Sequence, residues 1–388
     1  GNGPYRIESL ASGGLGLIRS PDGIIFARGV IPGELITIGQ LVRKRGVFWA
    51  EEVRIVEPSP DRTEPACPYA SDCGGCDFHH MTYEREKTEK ILMTRDTFRR
   101  IVGRDLPVSD RVEALEPHGY RNSIRIQGGA GYLGYCRKES NEIVDIDDCL
   151  IAMPDVREEI RRRKARNAGK PPKSLTIRCG TTPGALCTIE TSRGAMVVAG
   201  GQDRAGRITV MFLGRSYRVS PHSFFQVNIA IAERIALAMR DQLPPGPRLL
   251  DLFAGVGTFA LAMSDRYQTV TGCEISREAV EDFRHNAAGV GNVEVREWDA
   301  AKGLRDRVAR EDVLILDPPR TGLPRRLADA LAHASPAALA YVSCDTPTFA
   351  RDMRLLLDSG YELNDNVRLF DMFPRTAHVE LFAVLRKK

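Results

Sequence analysis

The chain has 388 residues, of which 43% are hydrophobic and 27% are charged, and its formal net charge at pH 7 is +4. This length predicts two or three domains with the composition of an ordinary soluble protein. No apolar run is long enough to span a membrane and no signal-peptide pattern is present, so we expect a cytoplasmic protein. The small net charge does not identify a polyanionic partner, because attraction of nucleic acid depends on local clusters of basic residues.

Residues 1–58 are predicted to form a small all-β module. Short alternating runs are broken by turn residues at Gly13-Gly14, Pro21-Asp22-Gly23 and Pro32-Gly33. About five such strands, together with the basic cluster Arg43-Lys44-Arg45, favour an OB-like barrel that binds nucleic acid on one face. A small barrel without a ligand fits the same pattern.

Three cysteines follow this module, and five and then two residues separate Cys67, Cys73 and Cys76. A fourth thiolate would come from Cys149, which follows an acidic stretch, or from Cys136. Four thiolates hold either tetrahedral zinc or a [4Fe-4S] cluster, and disulfides are not expected in a cytosolic protein. The spacing differs from the paired knuckles of zinc sites and therefore favours iron and sulfur, with buried unliganded cysteines as the remaining alternative.

Residues 59–220 are predicted to be a central α+β domain. A helix is expected from Tyr83 to Gly103, and alternating strands are expected later in the segment, for example over Tyr120 to Ile126. The basic run Arg161 to Arg166 lies between strands whose polar positions carry arginine. Interleaved cationic and aromatic side chains are typical of RNA-reading surfaces, although a basic run is also compatible with a simple solvated face.

Residues 221–388 alternate strands and helices, which predicts an α/β domain built on a parallel sheet. An apolar strand leads into Asp251 and then into Gly255 and Gly257, the pattern of a cofactor loop. The loop alone also fits a nicotinamide or flavin dinucleotide. Glu274 ends the next strand at the place suited to ribose hydroxyls. Asp317, which prolines follow, favours S-adenosylmethionine and methyl transfer.

Two further residues are candidates for chemistry. Cys344 ends an apolar strand on the same sheet edge, and a thiolate is the strongest nucleophile among side chains near neutral pH. Glu380 begins the last strand between Val379 and Leu381, where partial burial would raise the pKa of its carboxyl group toward that of a general base. A free cysteine that only packs and a structural ion pair are the alternatives.

Six motifs occur in the order found in RNA uracil-5-methyltransferases, and the chain resembles that family over nearly its whole length. It is most similar to the 23S ribosomal RNA branch, whose members carry an amino-terminal TRAM domain of OB type and a [4Fe-4S] cluster. The motifs are Cys67 to Cys76, His222 to Asn228, Asp251 to Thr258, Asp317-Pro318-Pro319-Arg320, Ser343-Cys344-Asp345 and His378-Val379-Glu380.

The resemblance implies a role for each matching residue. Cys344 would add to C6 of uracil, Glu380 would remove the C5 proton, and Asp317 would help to place the base or the cofactor. S-adenosylmethionine would be held by Gln226, Phe253, Gly255, Gly257, Thr258, Glu274, Asp299 and Asp317. Phe224 and Arg320 would contact the substrate RNA, and the cluster ligands would be Cys67, Cys73, Cys76 and Cys149.

One departure from the family pattern is Asp345-Thr346-Pro347 after the nucleophile, where Asn-Pro is common. A negative charge beside Cys344 is expected to raise the pKa of the thiol. This departure, together with the RNA-binding elements, leaves open a non-catalytic RNA-binding factor that retains the fold. The Gly255 pattern leaves open a nicotinamide oxidoreductase with an iron-sulfur centre. The RNA substrate is ribosomal or, alternatively, transfer RNA, and no membrane or obligate protein partner is expected.

Overall fold

The computed structural model describes residues 4–44, 46–166, 170–182, 184–192, 195–304 and 308–387, so that Arg45 of the first basic cluster lies outside it. The amino-terminal unit is one six-stranded sheet with the order β1-β5-β6-β4-β3-β2. Ile7, Ile18, Ile25 and Ile36 fill its core. The strands are β1 (Tyr5–Arg6), β2 (Ser9–Ala11), β3 (Leu15–Ser20), β4 (Gly23–Ala27), β5 (Leu35–Lys44) and β6 (Val47–Glu57).

The central part of the chain begins with a long helix and contains a second six-stranded sheet, of order β10-β9-β8-β11-β12-β13, followed by the hairpin β14-β15. Its elements are α1 (Tyr83–Val102), β7 (Val108–Glu113), β8 (Ser123–Gly129), β9 (Tyr132–Cys136), β10 (Ile143–Asp145), α2 (Pro154–Arg166), β11 (Ser174–Cys179), β12 (Leu186–Ser192), β13 (Ala195–Gly200), β14 (Ile208–Phe212) and β15 (Arg215–Val219).

The basic run Arg161 to Arg166, for which the sequence predicts a role in reading RNA, forms ion pairs within the protein. Within α2, Arg163 is buried and pairs with Glu159 and Glu190, and Lys164 pairs with Asp145 and Asp147. Because these cations are neutralised by neighbouring carboxylates, less of the run's charge is free for phosphates than the sequence indicates.

The carboxyl-terminal part forms a nine-stranded mixed sheet of order β18-β17-β16-β19-β20-β23-β22-β7, with β21 also pairing with β23. Its elements are α3 (Ile229–Gln242), β16 (Gly246–Asp251), α4 (Thr258–Met263), β17 (Tyr267–Glu274), α5 (Arg277–Asn286), β18 (Val293–Glu297), β19 (Asp312–Leu316), α6 (Arg325–His333), β20 (Ala338–Ser343), α7 (Thr346–Asp358), β21 (Tyr361–Leu363), β22 (Val367–Phe370) and β23 (Glu380–Lys387).

The central strands of this sheet are apolar along their whole length because helices cover both faces. Every residue of β19 and of β20 is buried, as expected for parallel strands between two layers of helices. Strand order reverses between β16 and β19, and in open α/β sheets such a switch point opens a crevice beyond the carboxyl ends of the strands. The predicted α/β architecture of the carboxyl-terminal part, with a β-rich amino-terminal unit before it, is confirmed.

Strand β7 lies within residues 59–220, the segment predicted to be the central domain. It nevertheless pairs in parallel with β22 at the edge of the nine-stranded sheet. Helix α1 also packs beside this sheet, with Phe98 stacked on Phe349 of α7 at 5.8 Å between ring centroids. Among the described helices, none has both the length and the apolar composition needed to cross a membrane.

Candidate active site

Four strands of the large sheet bring the predicted site residues to one edge. Parallel pairing aligns Asp251, at the end of β16, with Gly272 of β17 and Ile315 of β19. Asp317 therefore emerges directly beyond β19, and Cys344 directly beyond β20. Glu274 ends β17 on the other side of Asp251.

The loop between β16 and α4 has the backbone that its glycines permit. Gly255 and Gly257 have φ values of 55° and 90°, in the left-handed region that favours glycine. A Cβ on Gly257 would lie 2.3 Å from the ring of Phe283, whereas a Cβ on Gly255 would meet no atom within 4 Å. Gly257 is thus required for packing, and Gly255 borders open space in the crevice.

Two acidic residues hold the loops around this crevice. Glu274 accepts hydrogen bonds from the backbone N–H groups of Gly255 at 2.9 Å and of Ile275 and Ser276 at 2.7 Å. Asp299, beyond β18, accepts a hydrogen bond from Ala301 N at 2.9 Å and caps a short 3-10 turn. Both carboxylates are thereby fixed in orientation, which preorganises them for a polar ligand.

Asp317 lies beside the segment that precedes α3. Gln226 Nε2 donates a hydrogen bond to Asp317 Oδ2 at 3.2 Å, and the Gln226 carbonyl accepts one from Asn122 Nδ2 at 2.9 Å. Burial raises the pKa of Asp317 to about 7, and the Gln226 hydrogen bond opposes that shift. Burial and the neighbouring carboxyl groups likewise raise the pKa of Asp251 to about 7.

Cys344 and Glu380 lie at the ends of two antiparallel strands. Strand β20 pairs with β23 up to Ser343 opposite Leu381, so that Cys344 directly follows the last paired residue of β20 and Glu380 directly precedes the paired Leu381 of β23. Burial and the Glu380 carboxyl raise the pKa of the Cys344 thiol to about 12, although the Arg320 guanidinium lowers it. Burial and Asp317 raise the pKa of Glu380 well above its usual range.

Asp345, the departure from the family pattern, is the N-cap of α7. Its carboxylate accepts hydrogen bonds from Thr348 N at 2.9 Å and Thr348 Oγ1 at 2.8 Å. After burial, the groups that shift the pKa of Cys344 are Glu380, Arg320 and Asp317. The negative charge next to the predicted nucleophile therefore caps the start of α7.

The predicted substrate residues lie around the same edge. Phe224 is 62% exposed, an unusual state for a large apolar ring, and it is two residues from Gln226. Arg320 lines an open cleft of about 530 Å³ together with Arg121, Lys138, Phe373 and His378. Phe253 and Thr258 belong to the glycine loop, where Phe253 is half-buried and Thr258 is buried as the first residue of α4.

Comparisons with known proteins agree with this geometry. A family model described as tRNA (Uracil-5-)-methyltransferase matches residues 204–388. An uncharacterised RNA methyltransferase of Streptomyces coelicolor is 32% identical over 98% of this chain and 92% of its own length. The chain belongs to the RNA (uracil-5-)-methyltransferase family.

Two further relatives of this methyltransferase have named targets. The 23S rRNA (uracil(1939)-C(5))-methyltransferase RlmD of Marinomonas sp. is 29% identical over 99% of this chain and 94% of its own length. The crystal structure of Pyrococcus abyssi tRNA (uracil-54, C5)-methyltransferase with S-adenosyl-L-homocysteine has a TM-score of 0.79 and 25% identity, covering 98% of this chain and 99% of that one. The prediction of an S-adenosylmethionine-dependent RNA (uracil-5-)-methyltransferase is confirmed, and the oxidoreductase alternative is set aside.

Four cysteines of the methyltransferase share one cavity. Cys67, Cys73, Cys76 and Cys149 all line it, whereas Cys136 lines the cleft beside Arg320. Burial raises the pKa of all four thiols, and the other thiols of the group add to the shift of Cys73 and Cys76. Within the described residues, no group of three His, Cys, Asp or Glu side chains is close enough to hold a single metal ion.

Two polar groups at the sheet edge were not predicted as site residues. Asp251 Oδ2 and Trp298 Nε1 are buried and make no hydrogen bond to any described residue. Asp251 ends β16, and Trp298 directly precedes Asp299. A buried acceptor and a buried donor without partners on one ligand-binding edge fit a bound polar cofactor. The sequence shows that Asp251 ends a strand, but neither residue's missing partner is visible in a local pattern.

Proposed function

We propose that this enzyme methylates C5 of a uridine in 23S ribosomal RNA, with Cys344 as nucleophile and Glu380 as general base. The observation that carries the proposal is the pairing of β20 with β23, whose ends bring Cys344 and Glu380 close together beside Asp317 and Arg320. Similarity to the ribosomal RNA enzyme of Marinomonas sp. supports the substrate. The high structural similarity to the Pyrococcus abyssi enzyme favours transfer RNA as the second candidate.

The chemistry of each side chain follows from its position. Cys344, as thiolate, adds to C6 of uracil and drives the C5=C6 electron pair onto C5 and the O4 carbonyl. S-adenosylmethionine, when bound, would supply the methyl group to C5, its S–CH3 bond breaking so that neutral S-adenosylhomocysteine leaves. Glu380 then takes the proton from C5, the C–H pair re-forms the C5=C6 bond, and the bond from C6 to sulfur breaks to release Cys344 as thiolate.

Burial and the carboxyl groups around Cys344 raise the pKa of its thiol and so favour the protonated form in the free enzyme. Three acids, Cys344, Glu380 and Asp317, surround one cation, Arg320, in a largely buried place. Like charges at short distance disfavour ionisation of all three. A positively charged sulfonium in the crevice would shift this balance toward thiolate and carboxylate, so cofactor binding should activate the nucleophile.

Cofactor contacts are proposed for the crevice between β16 and β19. Glu274 would face the ribose and Asp299 the base of the adenosine, while Gln226 and Asp317 would lie at the methyl-donor end. Open space beside Gly255 and the unpartnered Asp251 Oδ2 support this placement. Phe253, Gly257 and Thr258 would shape the loop around the ligand.

We propose that three units divide the work: residues 1–58 as a TRAM-type OB-like unit, 59–220 as the central RNA-binding unit, and 221–388 as the methyltransferase unit. The cleft beside Arg320 supports contact among them, because Gly13 and Arg28 of the first unit line it with Arg121 of the second. Phe224 would stack on the target base or its neighbour once the base leaves its helix.

The four cysteines of the shared cavity are proposed to hold a [4Fe-4S] cluster. Their thiol chemistry fits iron and sulfur, and all four line the same enclosed space. A cluster bound there would supply a covalent connection between the segment at Cys67 to Cys76 and the segment at Cys149. Metal binding of this kind contributes directly to folding.

The test is methyl transfer from labelled S-adenosylmethionine to RNA purified from cells that lack the enzyme. We expect 5-methyluridine in 23S ribosomal RNA. Cys344→Ala should abolish turnover and leave cofactor affinity unchanged, and Glu380→Gln should accumulate a methylated protein-RNA adduct that survives denaturation. Label found only in transfer RNA would favour the second candidate, and active Cys344→Ala enzyme would reject the mechanism.

A further inference from the structure

The segment that leads into Glu380 has a strained backbone. Arg375 has a φ of 69°, in the left-handed region that a non-glycine residue rarely adopts. Such conformations persist only where surrounding contacts over-determine them, and they cluster at functional sites. The residues that hold Arg375 are therefore informative about how Glu380 is placed.

Asp77, which follows Cys76, forms hydrogen bonds with this segment. Asp77 N and Phe78 N donate hydrogen bonds to the Arg375 carbonyl at 2.8 and 3.1 Å. The Asp77 carboxylate accepts a hydrogen bond from Ala377 N at 2.9 Å and pairs with Lys138. Asp77 thus contacts both the strained residue and a residue three positions before Glu380.

Helix α1 also contacts this segment, through a buried network of ion pairs and a hydrogen bond. Lys90 and Asp371, both fully buried, form an ion pair at 2.8 Å, and Lys90 pairs with Glu86 at the same distance. Glu86 Oε1 accepts a hydrogen bond from Arg375 N at 2.7 Å. Asp371 follows Phe370, the residue of β22 that lies opposite Glu380.

We propose that Asp77 is a positioning residue, which ties the cysteine segment to the loop 371–377 and so places Glu380 for removal of the C5 proton. This inference rests on the proposed role of Glu380. Cys344 and the cofactor crevice lie at the ends of other strands, and among the described residues Asp77 is hydrogen-bonded to neither of them. Loss of Asp77 therefore affects the proton-removal step and spares cofactor binding and addition of the thiolate.

The test compares Asp77→Ala with a matched control, Asp72→Ala. Asp72 also adjoins a cluster cysteine, but its carboxylate pairs with Arg137 and does not reach the loop. RNA carrying tritium at uracil C5 is used in single-turnover reactions. For Asp77→Ala we expect tritium release to slow about 10-fold to 100-fold, the usual effect of a misplacement near 1 Å, with methylated adduct accumulating.

Other readouts separate positioning from damage. The affinity for S-adenosylhomocysteine and the iron content should both match those of the wild type within about twofold. A twofold change in affinity is well below the tenfold change that one pKa unit represents. Asp77→Asn retains an oxygen that can accept from Ala377 N and should restore most of the rate. Hydrogen exchange of residues 371–380 should be faster in Asp77→Ala and unchanged in Asp72→Ala.

Failure of the two proposals can be told apart. An Asp77→Ala enzyme with normal tritium release and normal exchange overturns the inference, and so does one that loses iron and cofactor binding as well. A different result is that Glu380→Gln accumulates no adduct while Asp77→Ala still shows faster hydrogen exchange of residues 371–380. In that case the proposed role of Glu380 is wrong, and the contact of Asp77 with the loop 371–377 still stands.

Discussion

At the scale of single residues, the site is governed by acids that the fold keeps out of water. Burial raises the pKa values of Asp251 and Asp317 to about 7, so a nearby charge can change their protonation near neutral pH. Their folded-state pKa values exceed the unfolded value of about 4. The stability that their protonated forms contribute is full below pH 4 and is lost as pH rises to 7.

Binding of S-adenosylmethionine should therefore release a proton from Asp317. A nearby positive sulfonium favours the carboxylate, so affinity is expected to increase as pH rises through about 7. Asp317→Asn should reduce this pH dependence, leaving the part due to Asp251. Calorimetric titration in buffers of different ionisation enthalpy measures the proton directly.

S-adenosylhomocysteine is the control for this prediction, because its sulfur is neutral. Its affinity should vary less with pH than that of the methyl donor. Equal pH dependence of the two ligands, or no change in Asp317→Asn, would show that Asp317 does not sense the sulfonium.

At the scale of elements, local pattern was sufficient for most helices and strands. The prediction of a helix from Tyr83 to Gly103 compares with Tyr83–Val102 in the structure, where Thr82 caps the start and Gly103 ends the helix in the left-handed region. The register of β20 on β23 could not be predicted in this way. The pairing that brings Cys344 close to Glu380 depends on packing of the whole sheet, which no local pattern encodes.

The start of α7 gives a prediction at this scale. Asp345→Ala removes an N-cap and should lower the free energy of unfolding by about 1 kcal/mol, measured by chemical denaturation. Asp345→Asn retains a capping oxygen and should be close to wild type in stability. Its pH profile of methyl transfer should also be unchanged, because Glu380 and Asp317 are the acids that raise the pKa of Cys344.

A pH profile displaced to lower pH in Asp345→Asn would contradict this explanation. It would mean that the Asp345 charge does act on the thiol, as the sequence alone suggested. Comparison with Asp345→Ala then separates the effect of charge from that of the helix cap.

At the scale of the whole molecule, the function depends on contacts between distant parts of the chain. Cys149 joins Cys67, Cys73 and Cys76 from beyond β10, and Asp77 reaches Ala377 across 300 residues. The family resemblance favoured Cys149 over Cys136 as the fourth ligand, and motif spacing grouped Cys67, Cys73 and Cys76. Neither predicted that the segment carrying these three cysteines also contacts the loop before Glu380.

Cluster assembly is the prediction that belongs to this scale. Cys149→Ser should lose most of the iron and sulfide per chain when purified without oxygen, because a weakly ligating hydroxyl replaces a thiolate. Cys136→Ser should retain both, since Cys136 lies in the neighbouring cleft. Iron retained in Cys149→Ser and lost in Cys136→Ser would reverse the assignment of the fourth ligand.

Strand β7 has a consequence for any attempt to transplant the catalytic half into another protein. The part that matches the family model starts at residue 204, but an edge strand of its sheet, β7, is formed by residues 108–113. A fragment that starts at residue 204 would leave the backbone N–H and C=O groups of one edge of β22 unpaired. An unpaired edge strand can pair with other chains and cause aggregation. Enzyme chimeras should keep residues 108–113 together with the residues after 204, because an edge strand of the catalytic sheet comes from the central part of the chain.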